Sequence, residues 1–288
     1  MNGAVSMLPG ATSLSAEAAP DVASAIELYA RPSAEFDAKL RETVVTLLKA
    51  AATGPVTQAS SLGAEDMVIT HLINAHELPI GIFVLDTGAL HAETVALIDR
   101  LQAQQDTHPH APLTVYRPAQ ESVVQFVARE GRDAMYKSID LRKACCSIRK
   151  MEPLSRALAG KKAWIAGLRR EQSGARAAVD LVDRAEEDSK GLLKYNPLAN
   201  WTWGDVWHYI AQHEVPYNPL HDQFFPSIGC APCTRAITVG EDFRAGRWWW
   251  EDEAAKECGL HVKDSAPSSP GSRPTDASHR QTQIQSHA

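Results

Sequence analysis

Five cysteines stand in a pattern that suits metal and thiol chemistry. Cys145 and Cys146 are adjacent, Cys230 and Cys233 form a C-x-x-C, and Cys258 stands apart in Glu257-Cys258-Gly259-Leu260-His261. Two pairs and a remainder divide into four ligands and one reactive thiol. Four thiolates suit zinc or an iron–sulfur cluster. Structural zinc usually takes two separated C-x-x-C-like pairs. Adjacent cysteines reach one small ion awkwardly, whereas a cubane offers each thiolate its own iron. The spacing therefore leans toward a 4Fe–4S cluster, with zinc as the alternative. The plainer readings are that Cys145 and Cys146 pack as small apolar side chains and that the C-x-x-C is a redox dithiol.

Cys258 follows a stretch rich in arginine and tryptophan, Phe243-Arg244-Ala245-Gly246-Arg247-Trp248-Trp249-Trp250. Arg244, Arg247 and His261 are placed to lower a thiol pKa and to hold an anion beside it. The tryptophans read as packing residues.

The chain of 288 residues carries 29 Lys+Arg against 35 Asp+Glu, a net charge of −6. That balance argues against binding nucleic acid or anionic lipid through bulk charge. No apolar run approaches ~18 residues, so no membrane span is expected. The N-terminus lacks the basic flank and apolar core of a secretory signal, so a cytoplasmic location is expected. Thiols stay reduced there, and an odd cysteine count fits no disulfide framework.

The elements that must position these residues alternate. Residues 55–60, 80–85, 113–116 and 163–166 read as strands, and 65–76, 92–104, 121–129 and 144–158 as helices. Strand-helix alternation predicts an α/β fold, a parallel twisted sheet with helices on both faces. Such sheets bind ligands beyond the carboxyl ends of their strands. Three turns there have suitable composition. Ser60, Ser61, Gly63 and Asp66 follow the first strand, where small residues and a helix N-terminus suit an anion. Neither a Walker loop nor a G-x-G-x-x-G is present. Leu85-Asp86-Thr87-Gly88 ends the second strand and suits a ribose or base. Gly167 opens the turn after the fourth strand, which carries Arg169, Arg170 and Arg176, suited to phosphate. Each turn taken alone also reads as an ordinary capped or solvated loop.

Together these motifs resemble the assimilatory adenosine 5′-phosphosulfate reductases, the iron–sulfur branch of the phosphosulfate reductase family. The resemblance runs from about residue 60 to 261 and rests on Gly63-Ala64-Glu65-Asp66, Leu85-Asp86-Thr87-Gly88, Lys143-Ala144-Cys145-Cys146-Ser147-Ile148-Arg149-Lys150, Gly167-Leu168-Arg169-Arg170-Glu171-Gln172, Gly229-Cys230-Ala231-Pro232-Cys233 and the terminal E-C-G-L-H. Leu62 departs from relatives that carry a second small hydroxyl residue there.

The resemblance implies an adenine nucleotide α-hydrolase-like sheet with a mobile C-terminal catalytic segment. Residues 1–25 and 264–288 are expected as disordered tails, 26–238 as the nucleotide-binding domain with the iron–sulfur site, and 239–263 as the catalytic segment. Cys145, Cys146, Cys230 and Cys233 are implied cluster ligands and Cys258 the nucleophile. Lys150 is implied to stand between cluster and substrate, and Arg244 and Arg247 to meet the phosphosulfate. The implied reaction makes an S-sulfocysteine on Cys258 and releases AMP, after which thioredoxin or a similar dithiol donor releases sulfite. Three rivals remain: reduction of the 3′-phosphorylated substrate, a pyrophosphatase-type enzyme on the same sheet, and a zinc-stabilised nucleotide-binding module. Homo-oligomers are common for such enzymes, but no interface is readable in the sequence.

Overall fold

The computed structural model describes residues 23–184 and 191–252. Its sheet has six strands: β1 (Val56–Ser60), β2 (Gly81–Leu85), β3 (Leu113–Tyr116), β4 (Ala163–Ile165), β5 (Val182–Asp183) and β6 (Leu193–Tyr195). The order is β3-β2-β1-β4-β6-β5. All neighbours run parallel except β5, which is antiparallel to β6. The four expected strands and the parallel sheet are as read from the sequence. From β1 the chain builds β2 and β3 on one side, and β4 and β6 on the other. The carboxyl ends of β1 and β4 therefore flank a topological switch point, where a crevice opens.

Alternation of side chains along the strands makes the two faces. Ile80, Ile82 and Val84 join Val56, Ala163 and Ile165 in the larger core. That core is closed by α2 (Phe36–Ala52), α3 (Ala64–Ala75), α4 (Ala92–Gln105) and α8, the helix Trp203–His213. Phe83 points the other way, onto Leu154 and Ala157 of α7 (Glu152–Leu158). Trp164, Ala166 and Leu168 form a third cluster on that second face. Helices thus cover both faces, as expected. Among the described residues no helix is long and apolar enough to cross a membrane.

Two features differ from the sequence reading. The expected helix over 144–158 is three pieces: α6 (Ile139–Cys146), a π-turn (Ser147–Met151) and α7. Pro153 brings no amide N–H and its ring crowds the preceding turn, so the helix changes register just before it. Strands β5 and β6 were not anticipated. They are two and three residues long, and β6 contains Lys194, whose ammonium stacks 4.7 Å over the Trp164 ring. Tertiary packing, rather than local pattern, makes that segment a strand.

The N-terminal end of α3 is anchored by a histidine from far along the chain. His221 Nε2 accepts the Ala64 N–H at 3.2 Å. Its ring packs edge-on between Trp203 and Trp207, and it is 3% exposed. Burial pushes its pKa down to about 4 against the opposing pull of Glu65. The unfolded chain then binds more protons than the native state between about pH 4 and 6.5, so this group's contribution to stability is lost as pH falls through that window. His221→Gln keeps an acceptor for Ala64 and removes the titration. Urea denaturation should show wild type losing about 2 kcal/mol more than the variant between pH 7 and 5. Equal losses would show that His221 titrates as an exposed histidine does.

Candidate active site

The β1–α3 turn is held by Asp66. Its Oδ2 accepts both the Ser61 N–H and the Ser61 Oγ–H at 2.7 Å, and its Oδ1 accepts the Gly167 N–H at 3.1 Å. One carboxylate thus ties the turn after β1 to the turn after β4. Burial raises its pKa to about 6, even with Ser61 donating to it. The neighbouring Glu65 Oε1 accepts from Arg169 Nε and Gln172 Nε2, both at 2.9 Å. The first-turn acids are committed to scaffold donors, and the Ala64 amide to His221. The helix N-terminus is therefore less open to an anion than its sequence suggested. Leu62 sits at φ 62° with its side chain wholly buried in the larger core. The departure at that position lies away from the ligand side.

These turns surround a cavity of about 200 Å³ on the second face of the sheet. Its floor is apolar, with Ala59, Phe83, Leu154, Trp164 and Ala166. Ser60, Ser61, Gly63, Asp66, Leu85, Thr87 and Gly167 edge it. Lys150, Arg176, Arg244 and Arg247 supply cations. The three guanidinium side chains are buried, between 6% and 9% exposed. Arg247 donates weakly to Ser227 Oγ (3.4 Å) and the Ile228 carbonyl (3.3 Å), and its Nε has no hydrogen-bond partner among the described residues. Its guanidinium lies so close over Gly229 that a Cβ there would collide with it. An apolar floor with buried cations at one side is suited to an aromatic base joined to an anionic group.

A second cavity of about 660 Å³ is lined by Cys145, Cys146, Cys230 and Cys233, with Arg142 and Arg149. Helix α6 carries the tandem cysteines, and a short 3₁₀ turn, Ala231–Cys233, sets the C-x-x-C. Burial raises the pKa of Cys145, which Arg149 offsets in part. Burial also pushes Cys233 up to about 11, helped by Cys230 and opposed by Lys150. Such thiols gain from any group that stabilises them as thiolates. Among the described residues no three His, Cys, Asp or Glu side chains gather closely enough for one metal ion. The four thiols instead face a common space, which suits a ligand larger than a single ion.

Lys150, Cys230 and Trp248 line both cavities. Lys150 stands on the π-turn, and the loop after β2 makes a second link. Thr87 Oγ1 lies 3.2 Å from Cys230 Sγ, and the Thr87 carbonyl accepts from Arg149 at 2.6 Å. Gly88, expected at the substrate, lines the thiol cavity instead, with φ 67°. Cys258 and His261 lie outside the described residues. The sequence reading missed Arg149 and the partition role of Trp248, since one indole between two sites carries no local signature.

A mostly parallel sheet covered by helices on both faces, with a crevice at its switch point and a four-thiol cavity alongside, places the protein in the doubly wound α/β class. A sequence profile of the phosphoadenosine phosphosulfate reductase domain matches residues 55–236. An adenosine 5′-phosphosulfate reductase of Allochromatium vinosum is 53% identical over 216 residues, 75% of this chain and 82% of that protein. The enzyme of the same name from Burkholderia cepacia is 53% identical over 209 residues, 73% of this chain and 81% of its own. Among solved structures, the phosphoadenylyl-sulfate reductase of Candida auris, in a phosphate complex, is similar with a TM-score of 0.55 at 29% identity, over 70% of this chain and 97% of that one. The chain belongs to the phosphosulfate reductase family.

Gly229 tests the arginine wall. Gly229→Ala should push the flexible end of Arg247 aside and leave the backbone in place. Calorimetry should show roughly tenfold weaker binding of adenosine 5′-phosphosulfate, as for a lost charge-assisted hydrogen bond. Thermal unfolding should hardly move. Unchanged affinity would place Arg247 outside the ligand contact.

Proposed function

We propose that this protein reduces adenosine 5′-phosphosulfate to sulfite and AMP in assimilatory sulfate reduction, with thioredoxin or a similar dithiol as electron donor. The observation that carries this reading is the common wall of Lys150, Cys230 and Trp248 between the arginine-lined cavity and the four-thiol cavity. The relatives' names support the substrate. The arrangement has no evident use in a pyrophosphatase.

The apolar floor of Phe83, Trp164 and Ala166 takes the adenine, and the turns after β1, β2 and β4 take the ribose and phosphate. Lys150, Arg176, Arg244 and Arg247 offset the negative charge that repels an approaching thiolate. The Cys258 thiolate attacks the sulfate sulfur, and the S–O bond to the phosphate breaks. AMP leaves with that electron pair, and Cys258 becomes an S-sulfocysteine. A donor thiolate then attacks Cys258 Sγ, and sulfite departs with the S–S electron pair. The donor's second thiol resolves the mixed disulfide, which returns Cys258 reduced and leaves the donor oxidised. His261 is assigned beside Cys258 at the anion.

Cys145, Cys146, Cys230 and Cys233 would hold a 4Fe–4S cluster. Bound there, it supplies a fixed framework and an added electrostatic field, because the dithiol already provides both electrons. Four thiols on one cavity, two of them buried and two half-buried, support that reading. Reduction of the 3′-phosphorylated substrate is the second reading, favoured by the profile's description and the Candida auris enzyme's name. The protein is taken to work in the cytoplasm, without nucleic acid or membrane.

Anaerobic incubation with adenosine 5′-phosphosulfate and no thiol should add one SO₃ group, read by intact mass and mapped to Cys258. Reduced thioredoxin should remove it, and Cys258→Ser should never gain it. The same incubation with the 3′-phosphorylated compound compares the two substrates. Iron and acid-labile sulfide should be present together. No adduct on an iron-bearing protein would sink the nucleophile assignment.

A further inference from the structure

A buried ion pair that has no part in the proposed reaction lies against the wall shared by the two cavities. Arg142 stands on α6, one turn before Cys146. Its Nε donates to Glu251 Oε1 at 2.9 Å and another guanidinium nitrogen donates to Oε2 at 2.7 Å. Both side chains are buried, 1% and 2% exposed. The Arg142 guanidinium also lies 4.7 Å from the centre of the Trp248 ring, and Arg247 lies 4.6 Å from the same ring. One indole thus stacks against two guanidiniums, of which Arg142 has a bidentate carboxylate and Arg247 lines the substrate cavity. Trp248 is 1% exposed and sits at φ 42°, a conformation that tryptophan rarely adopts. Its backbone N–H donates to the Cys233 carbonyl at 3.2 Å. Arg142 in turn hydrogen-bonds Cys146. Both cysteine motifs therefore bear on this one residue.

We propose that Arg142 and Glu251 are positioning residues that clamp Trp248 against the thiol cavity and thereby aim Arg247 at the sulfate end of the substrate. The pair also fixes Cys146, so the packing of the thiol cavity and the affinity for the sulfonated end of the nucleotide are coupled. The part concerning the thiol cavity rests on the cluster reading above. The part concerning Arg247 does not.

A buried ion pair is a poor device for stability alone, since apolar residues of similar volume often serve as well. That gives a test separating positioning from packing. Glu251→Gln leaves a buried guanidinium facing a neutral partner. The double variant Arg142→Met/Glu251→Leu removes both charges. Calorimetric titration with adenosine 5′-phosphosulfate and, separately, AMP reads the anion site. Iron content per chain and thermal unfolding read the rest. Both variants should bind adenosine 5′-phosphosulfate about tenfold more weakly, with AMP affinity changed less than about threefold. Both should retain less iron than wild type. The double variant should recover most of the thermal stability that Glu251→Gln loses, without recovering affinity. If Glu251→Gln fails to fold, the double variant decides. A double variant that binds adenosine 5′-phosphosulfate and iron as wild type does would show that the pair only packs, and would overturn the proposal. Equal losses for both nucleotides would overturn it as well. Wild type without iron would defeat the cluster reading and the coupling to it, while the comparison of the two nucleotides still judges the clamp on Trp248.

Discussion

Cations held out of water must be answered by something, and the architecture of the site follows from how each one is answered. Arg169 is met by Glu65 and Glu171, and Arg142 by Glu251. Both arrangements fasten scaffold elements that are far apart in sequence. Arg247 differs: its neighbours are a hydroxyl, a carbonyl and an indole face, and its Nε is unanswered among the described residues. A buried guanidinium in that condition keeps donors free for the anion that the proposed function brings to it.

Asp66 plays the complementary part on the acidic side. A buried carboxylate that accepts three donors from two loops sets the distance between the ends of β1 and β4. The crevice at the switch point is consequently a fixed width. His221 pins the start of α3 from the opposite direction, with Trp203 and Trp207 of α8 around it. Contacts of this kind hold the turns beside the apolar and cationic residues that line the same cavity.

The π-turn is what places one lysine on both cavities. An unbroken α-helix from α6 to α7 would rotate Arg149 and Lys150 to a different heading from the tandem cysteines. The wider turn at Ser147–Met151, set just ahead of Pro153, brings Lys150 to both cavities and Arg149 to the Thr87 carbonyl. Such insertions cost helix geometry and tend to occur where function demands a particular direction.

Much of this was legible in the residues. Apolar runs alternating with helical periods announced β1, β2 and β4, because a strand buried on both faces cannot hide its composition, and β3 followed the same alternation at the less buried edge. The cysteine spacing singled out four thiols as a set, and they do line one cavity. Arg176, Arg244 and Arg247 stood out in the sequence beside glycines, and all three line the first cavity. Tertiary structure alone decided the remainder. Strands β5 and β6 are made by pairing onto the β4 edge, with Lys194 over the Trp164 ring, which no local pattern announces. Asp66 turned inward because Gly167, a hundred residues on, presents an amide to it. Gly88 lines the thiol cavity because Arg149 and Cys230 tie the loop after β2 to that side. The clamp on Trp248 joins residues 142, 247 and 251, and only the folded chain brings them together. Sequence records which side chains can do chemistry. Direction and neighbourhood depend on contacts between distant segments, which spacing along the chain does not encode.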